Sequence, residues 1–127
     1  MVFGTFDVLH PGHLNFFQQA KKYGQELIVV IARDRTVESV KGRLPLNSEK
    51  DRCQLVRQLN LVTKAVLGDL KDQMKAISQY RPHIVCLGYD QQAFVKELQS
   101  TFPQLRIVRL KPYRAKYYKS SYWRSVL

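Results

Sequence analysis

The sequence of 127 residues predicts an α/β protein built on a single doubly wound parallel sheet of about five strands. Short apolar segments of strand length alternate with segments in which apolar residues recur at helical spacing. The chain shows no internal repeat or low-complexity linker, and 45% of its residues are hydrophobic, enough for a buried core. We therefore expect one domain over residues 1–127, with helices on both faces of the sheet in a Rossmann-like arrangement.

Five apolar segments are predicted as strands, and the patterned segments between them as helices. The strands are expected at Met1–Phe6, Leu27–Ala32, Lys64–Leu67, His83–Leu87 and Leu105–Leu110. The helices are expected at His13–Tyr23, from an Asn47 or Ser48 cap to Leu59, at Leu70–Tyr80, at Ala93–Ser100 and from Ser120 onward. Residues 33–47 are expected to form a polar loop. The helical spacing predicts that these side chains face inward: Leu14, Phe17, Ala20, Leu55, Val56 and Leu59.

Charge is unevenly distributed along the chain, whose formal net charge is +11. The last thirty residues contain seven Lys or Arg and no acidic residue. Nucleic acid, several small-molecule phosphates or an ordinary solvated face would each explain such a basic, tyrosine-rich end. Since the chain has no recognisable RNP, KH or helix-turn-helix signal, nucleic-acid binding is not expected.

Cysteine use and hydropathy indicate the compartment. Cys53 and Cys86 are isolated in a helical and a strand segment, which is typical of buried thiols rather than disulfides or metal ligands. The longest apolar run, Leu27–Ala32, is far shorter than the roughly 18 residues of a membrane span, and the N-terminus does not resemble a signal peptide. We therefore expect a cytoplasmic protein without a membrane association.

The segment between the first strand and the first helix has the sequence GTFDVLHPGH. It contains His10 and His13, and side chains three positions apart lie roughly 5–6 Å from each other on one helix face. Both imidazoles can therefore meet one phosphate at the helix N-terminus, where free backbone N–H groups and the helix dipole favour an anion. The alternatives are a pair of surface histidines or half of a metal site.

This segment closely resembles the GTFDxLHxGH signature of the cytidylyltransferase-like nucleotidyltransferases. The resemblance implies an enzyme that transfers a nucleoside monophosphate from a nucleoside triphosphate to a phosphorylated acceptor and releases pyrophosphate. It implies catalytic roles for His10 and His13, which would stabilise charge on the α-phosphoryl group. It also implies nucleotide binding by Gly4, Thr5, Phe6, Asp7, His10, Gly12 and His13.

Two further segments follow strands and should reach the same edge of the sheet, because right-handed crossovers bring these loops together. Lys41 and Arg43 match basic residues that contact phosphates in the glycerol-3-phosphate cytidylyltransferase branch, and the alternative is an ordinary polar loop. Arg52 is expected to be a packing or ion-pair residue. Gly88 permits a close backbone approach, and Asp90 either accepts hydrogen bonds from the nucleotide or caps the next helix.

The basic end resembles the second signature of the family, in which a basic residue and a loop precede two hydroxyls that open the last helix. Arg114 matches the basic residue, and the resemblance implies a catalytic role for Arg114 and Lys41 and acceptor-phosphate binding by Lys41, Arg43 and Arg114. Ser120 and Ser121 match the hydroxyl pair and, with Tyr118, are expected to bind nucleotide. A departure from the cytidylyltransferase version is Tyr118-Lys119, where Ile-Ser is common.

Several segments resemble archaeal-type FAD synthases more than cytidylyltransferases, notably LGYDQ at residues 87–91 and KSS at residues 119–121. This implies the reaction of ATP with FMN to give FAD and pyrophosphate. The alternative is CTP with glycerol 3-phosphate giving CDP-glycerol, and a remoter one is a non-catalytic nucleotide- or RNA-binding module. The family resemblance also implies a homodimer and Mg²⁺ bound mainly through the nucleotide phosphates, with no metal cage formed by the protein.

Overall fold

The computed structural model describes residues 1–92 and 94–113, which form a five-stranded parallel sheet with helices, as the sequence predicts. No helix within these two ranges is both long enough and apolar enough to cross a membrane. The strands are β1 (Val2–Gly4), β2 (Ile28–Ile31), β3 (Lys64–Leu67), β4 (Ile84–Leu87) and β5 (Arg106–Arg109). The helices are α1 (Pro11–Lys21), α2 (Asp34–Lys41), α3 (Glu49–Arg57), α4 (Lys75–Tyr80) and α5 (Val95–Thr101).

The strand order is β3-β2-β1-β4-β5, and all neighbouring strands are parallel. The chain builds the sheet outward from β1 in one direction and then returns to place β4 on the other side of β1. The topological switch point therefore lies between β1 and β4, and ligands of open α/β sheets bind beyond the carboxyl ends of the strands at this point.

Both faces of the sheet are covered, which explains why the strands are almost continuously apolar. Val29 and Val30 are adjacent in β2 and belong to two different core clusters, because successive strand residues point to opposite faces. One cluster includes Phe17 of α1 with Cys53 and Val56 of α3. The other includes Ile77 of α4 and Leu98 of α5. Cys53 and Cys86 are buried thiols, as predicted.

The helix α2 lies where the sequence predicted a polar loop. Its only apolar side chains are Val37 and Val40, three positions apart, so the helical spacing extends over a single turn, and only Val37 is buried. The helix ends at Gly42, whose φ of 77° is left-handed and whose N–H donates to the Glu38 carbonyl. Two inward-facing predictions were also wrong, since Leu14 is 40% and Leu55 is 48% exposed.

Two other helices begin later than predicted, and local side-chain contacts explain one of these starts. Before α4, Asp69 accepts hydrogen bonds from the backbone N–H groups of Lys71 and Asp72, which stabilises a turn in place of the first helical turn. The helix α5 starts at Val95, directly after a residue with left-handed backbone. The helix predicted from Ser120 lies outside the described residues.

Candidate active site

A cavity of about 430 Å³ lies beyond the carboxyl ends of the strands. Its walls come from four parts of the described chain: the β1–α1 connection, the end of α2, the segment after β4 and the segment after β5. The expected convergence of these loops is therefore confirmed. The segment after β3 contributes no residue to this cavity in the described part of the chain. The candidate residues at the cavity are Gly4, Thr5, Phe6, Asp7, His10, Gly12, His13, Lys41, Arg43, Gly88 and Asp90.

The two histidines form the N-terminal cap of α1. His10 is the N-cap residue, and its Nδ1 accepts a hydrogen bond from the Gly12 N–H at 3.1 Å. In return, Nδ1 of His13 accepts from the His10 N–H at 3.3 Å. The imidazole rings stack with their centroids 3.8 Å apart. Because both Nδ1 atoms accept hydrogen bonds, the proton of each neutral ring lies on Nε2.

This capping arrangement corrects the expectation of free backbone N–H groups at the start of α1. Pro11 has no N–H, and the Gly12 N–H donates to the His10 ring. The N–H groups of His13 and Leu14 both donate to the His10 carbonyl. The backbone N–H groups at the start of α1 therefore donate within the protein and are not offered to an anion.

Both histidines are neutral near pH 7. Burial, then the nearby His10, then the Lys41 ammonium lower the pKa of His13 to about 3. Burial also lowers the pKa of His10 below its ordinary value. The two stacked rings are therefore uncharged, and each carries one N–H donor.

Phe6 supports His13 from below and requires glycine at position 4. Its φ of 51° is left-handed, which is rare for an aromatic residue, and folds its ring across Gly4. A Cβ atom at Gly4 would lie 2.5 Å from Cζ of Phe6, so no other residue fits there without displacing the ring. The Phe6 ring meets the His13 ring edge to face, with centroids 5.4 Å apart. The strained backbone at Phe6 thus places its ring against the imidazole of His13.

Asp7 is buried and its carboxylate accepts hydrogen bonds from the chain that follows α2. The N–H groups of Leu46 and Asn47 donate to Oδ2 and Oδ1 of Asp7, each at 2.8 Å. Nδ2 of Asn47 donates to the Asp7 carbonyl at 2.6 Å. Asp7 therefore ties the segment after Lys41 and Arg43 to the histidine-bearing connection.

Arg52 is fully buried beneath this segment, which confirms the prediction of a packing and ion-pair residue. Its guanidinium forms an ion pair with Asp34 at 2.7 Å and donates to the carbonyls of Thr5 at 2.8 Å and Asn47 at 3.0 Å. One side chain thus joins α2, α3 and the β1–α1 connection. Ser48, as expected, caps α3.

Lys41 and Arg43 lie on either side of Gly42 at the end of α2, and both line the cavity. The Lys41 ammonium contributes, after burial and His10, to the lowered pKa of His13. The structure therefore brings together the two histidines and the two cations that the sequence singled out.

The opposite wall is formed by residues 88–91 after β4. Asp90 is exposed and lines the cavity, whereas Phe94 occupies the N-cap position of α5, so the predicted alternative of an Asp90 cap is wrong. Gln91 was missed by the sequence analysis. Its side-chain amide accepts from the Gly88 N–H at 2.7 Å and donates to the Phe3 carbonyl at 2.9 Å.

The segment after β5 enters the cavity wall through residues 111–113. Gln19 of α1 fixes it, accepting from the Lys111 N–H at 2.9 Å and donating to the Lys111 carbonyl at 2.8 Å. The candidate residues that follow lie outside the described part of the chain: Arg114, Tyr118, Ser120 and Ser121. Residues 1–92 and 94–113 contain no cluster of three or more His, Cys, Asp or Glu side chains that could hold a metal ion.

Comparison with known proteins identifies relatives over nearly the whole chain. An FAD synthase of Thermoplasma volcanium is 40% identical over 125 residues, covering 95% of this chain and 87% of the relative. An FAD synthase of Aciduliprofundum boonei is 44% identical over 117 residues, covering 89% and 78%. An FAD synthase of Methanohalophilus mahii is 42% identical over 116 residues, covering 87% and 80%.

One solved structure is similar to this chain in both fold and sequence. The crystal structure described as the lipopolysaccharide core biosynthesis protein from Thermoplasma volcanium superposes with a TM-score of 0.83 at 40% identity. The match covers 89% of this chain and 95% of the other. The family model described as cytidylyltransferase-like matches residues 1–125. The chain, with its doubly wound sheet and its histidine-capped first helix, therefore belongs to the cytidylyltransferase-like family.

Proposed function

We propose that this protein is an FAD synthase, which transfers the AMP group of ATP to the phosphate of FMN and releases pyrophosphate. The cytidylyltransferase-like family and the three relatives named above, each described as an FAD synthase, support a nucleotidyltransferase. The observation that carries the proposal is the pair of neutral imidazoles with Nε2–H donors, in one cavity with Lys41 and Arg43.

The reaction needs no covalent intermediate. An oxygen of the FMN phosphate attacks the α-phosphorus of ATP, and a new P–O bond forms as the bond to the bridging oxygen of the β-phosphate breaks. The electron pair of that bond leaves with pyrophosphate. Catalysis then consists of positioning the two phosphates in line and stabilising charge on the transferring group.

We assign to His10 and His13 the stabilisation of negative charge on the transferring phosphoryl group. Their Nε2–H groups donate to the oxygens of the α-phosphoryl group, and the capping hydrogen bonds hold both rings in the required tautomer before the substrate arrives. Since the rings are already fixed, little reorganisation accompanies the reaction, which is the condition under which such donors are most effective.

Three cations are assigned to binding and neutralising the acceptor phosphate and the departing pyrophosphate: Lys41, Arg43 and Arg114. The guanidinium of Arg43 suits two oxygens at once, whereas the Lys41 ammonium acts as a point charge. Thr5, Gly88 and Asp90 belong to the nucleotide-binding wall, and Tyr118, Ser120 and Ser121 are proposed to complete it. A Cβ at Gly88 would make only ordinary contacts, the nearest at 3.5 Å, so packing within the fold does not require glycine there, and we assign Gly88 to a close approach of the nucleotide.

ATP is expected to bind as its Mg²⁺ complex, with the ion held chiefly by the polyphosphate. Nucleotidyltransferases of this kind generally use a divalent metal, which the polyphosphate of the substrate would bring into the site. We also propose that residues 1–127 act as one nucleotidyltransferase domain and that the protein works as a homodimer.

A pyrophosphate-release assay that pairs ATP or CTP with FMN or glycerol 3-phosphate tests the proposal. The expected result is pyrophosphate release only with ATP and FMN, accompanied by FAD in a chromatogram, and loss of release when the divalent ion is chelated. CDP-glycerol from CTP and glycerol 3-phosphate, without FAD, would reassign the substrates. Pyrophosphate release with neither pair would overturn the proposed reaction.

A further inference from the structure

The strands β1 and β4 separate just where the cavity begins. Within the described residues, their register is the single pair Val2↔Cys86, whereas β2 and β3 pair at four positions. The Cys86 N–H donates to the Met1 carbonyl at 3.0 Å. In a parallel ladder the next rung on this side joins the N–H two residues on to the carbonyl two residues on, which would be Gly88 and Phe3.

The side chain of Gln91 occupies that rung. The Gly88 N–H donates to Oε1 of Gln91 at 2.7 Å, and Nε2 of Gln91 donates to the Phe3 carbonyl at 2.9 Å. One side-chain amide is thus inserted between two backbone groups that would otherwise bond directly. Two hydrogen bonds in place of one put the backbone groups roughly twice as far apart as in a normal rung.

The following rung is replaced as well. In a continued ladder the Gly88 carbonyl would accept from the Thr5 N–H. Instead, Nη1 of Arg109 in β5 donates to the Gly88 carbonyl at 2.8 Å and to the Gln91 carbonyl at 2.6 Å. The separated end of β4 is therefore held on both sides, by the Gln91 amide toward β1 and by the Arg109 guanidinium toward β5.

We propose that Gln91 is a positioning residue whose side-chain amide holds β1 and β4 apart at the switch point and thereby sets the width of the nucleotide cavity, with Arg109 fixing the displaced strand end. This assignment rests on the proposed function of the cavity. The cavity is lined from both sides of the gap, by Phe3 and Gly4 on β1 and by Gly88 and Gln91 beyond β4. A change in strand separation at this point therefore changes the space available to a bound nucleotide.

The position of the Gln91 amide allows its role in nucleotide binding to be distinguished from a role in the stability of the fold. If the Gln91 amide is removed, Gly88 N–H and Phe3 C=O can bond to each other, and no buried backbone group loses its partner. The strands then close by one rung and the cavity narrows. Loss of Gln91 should consequently weaken nucleotide binding far more than it destabilises the fold, the reverse of what a purely structural glutamine would show.

The test compares Gln91→Ala and Gln91→Glu with wild type, with Gln92→Ala as the matched control at an exposed neighbouring glutamine. ATP binding is measured by calorimetry, KM and kcat by pyrophosphate release, and the melting temperature by calorimetric scan. For Gln91→Ala we expect ATP affinity to fall and the KM for ATP to rise by roughly 10-fold or more, with a smaller change in kcat and a melting temperature near wild type. Gln91→Glu keeps the acceptor for Gly88 but loses the donor to Phe3, so it should bind ATP between the alanine variant and wild type.

A crystal structure of Gln91→Ala gives an independent readout. Gly88 N within hydrogen-bond distance of Phe3 O supports the proposal, whereas an unchanged gap overturns it. Unaltered ATP binding in Gln91→Ala, or a large loss of melting temperature with unaltered KM, also overturns it. These results differ from a failure of the proposed function, in which wild-type protein itself binds no ATP and the assigned role falls with it.

Discussion

At the scale of single residues, His10 and His13 each have two separate tasks. One nitrogen of each ring completes the cap of α1, and the other carries the proton that the proposed reaction needs. A serine or aspartate would cap the helix equally well but would not offer an N–H donor to the cavity. We therefore attribute the use of histidine at both cap positions to the proposed reaction rather than to helix stability.

The variant His10→Asn separates these two tasks. Asparagine is among the best N-cap residues, so the cap is kept, and any loss of unfolding free energy comes from the buried ring that stacks on His13 and not from the cap. The Nε2–H donor is lost, and we expect turnover to fall roughly 100- to 1,000-fold, or about 3–4 kcal/mol. His83→Asn, at an exposed histidine away from the cavity, is the control. Near-normal turnover of folded His10→Asn would remove His10 from the mechanism.

The pKa of His13 predicts how stability depends on pH. His13 takes up a proton at about pH 3 in the folded protein and at its ordinary value of 6.5 when unfolded. Between these two pH values the unfolded chain binds more protons than the folded protein does. The contribution of His13 to the free energy of unfolding is therefore complete above pH 6.5 and is lost as the pH falls toward 3. The lowered pKa of His10 acts in the same direction.

Urea unfolding of wild type and His13→Gln from about pH 7 down to about pH 4 checks this expectation. Glutamine at this position can still accept from the His10 N–H, as in an ordinary capping box, but it does not titrate. We expect a shallower loss of stability with falling pH in the variant. Identical slopes for the two proteins would mean that His13 is not buried in its neutral form.

At the scale of elements, the segment between α2 and α3 is held in place by buried polar groups. Asp7 binds it from the β1–α1 connection, and Arg52 binds it from α3. Lys41 and Arg43 stand at its beginning, so their positions depend on contacts made by residues that follow them. Asp7 thereby acts on the cavity through this segment.

A double-mutant cycle tests that dependence. In Asp7→Asn an amide NH₂ faces one of the two backbone N–H groups that the carboxylate accepted, so the segment loosens and the KM for ATP should rise. In a Lys41→Met background the same substitution should have a smaller effect, with a coupling of about 0.5–3 kcal/mol. Asp51→Asn, at an exposed position in α3, is the control. Fully additive effects would indicate that Asp7 acts independently of Lys41.

The elements also show what the sequence can and cannot predict. The strands were predicted because both faces of the sheet are buried, which leaves continuous apolar runs such as Leu27–Ala32. The helix α2 was missed because Val37 and Val40 alone repeat at helical spacing in this polar segment, although Lys41-Gly42 is a recognisable helix end. Leu14 and Leu55 fit the helical spacing, yet they lie at the edge of the apolar stripe and remain exposed.

The candidate site was predictable to the extent that its residues follow strands. Parallel strands bring their carboxyl ends together, so the histidines, Lys41 and Arg43 could be expected in one place. Asn47 and Gln91 could not be found in this way. Their role depends on which backbone carbonyls their side-chain amides reach, 40 and 88 positions away in the chain, and residue type does not reveal that.

At the scale of the whole molecule, the net charge of +11 should assist the capture of a polyanionic substrate. Raising the salt concentration from about 0.01 M to about 0.15 M shortens the Debye length from about 30 Å to about 8 Å. We therefore expect the KM for ATP to rise over this range while kcat changes little, because long-range attraction affects encounter more than the buried reacting groups.

The dependence on salt should reside mainly in the cations at the cavity. Lys41→Met and Arg43→Met each remove a charge that lines it, so the plot of log KM against log salt should flatten in both variants. Lys96→Met removes the same charge from an exposed position on α5 outside the cavity and should shift the plot without flattening it as much. Equal slopes in all three variants would show that attraction arises from the overall charge, since local cations would then contribute no more than distant ones.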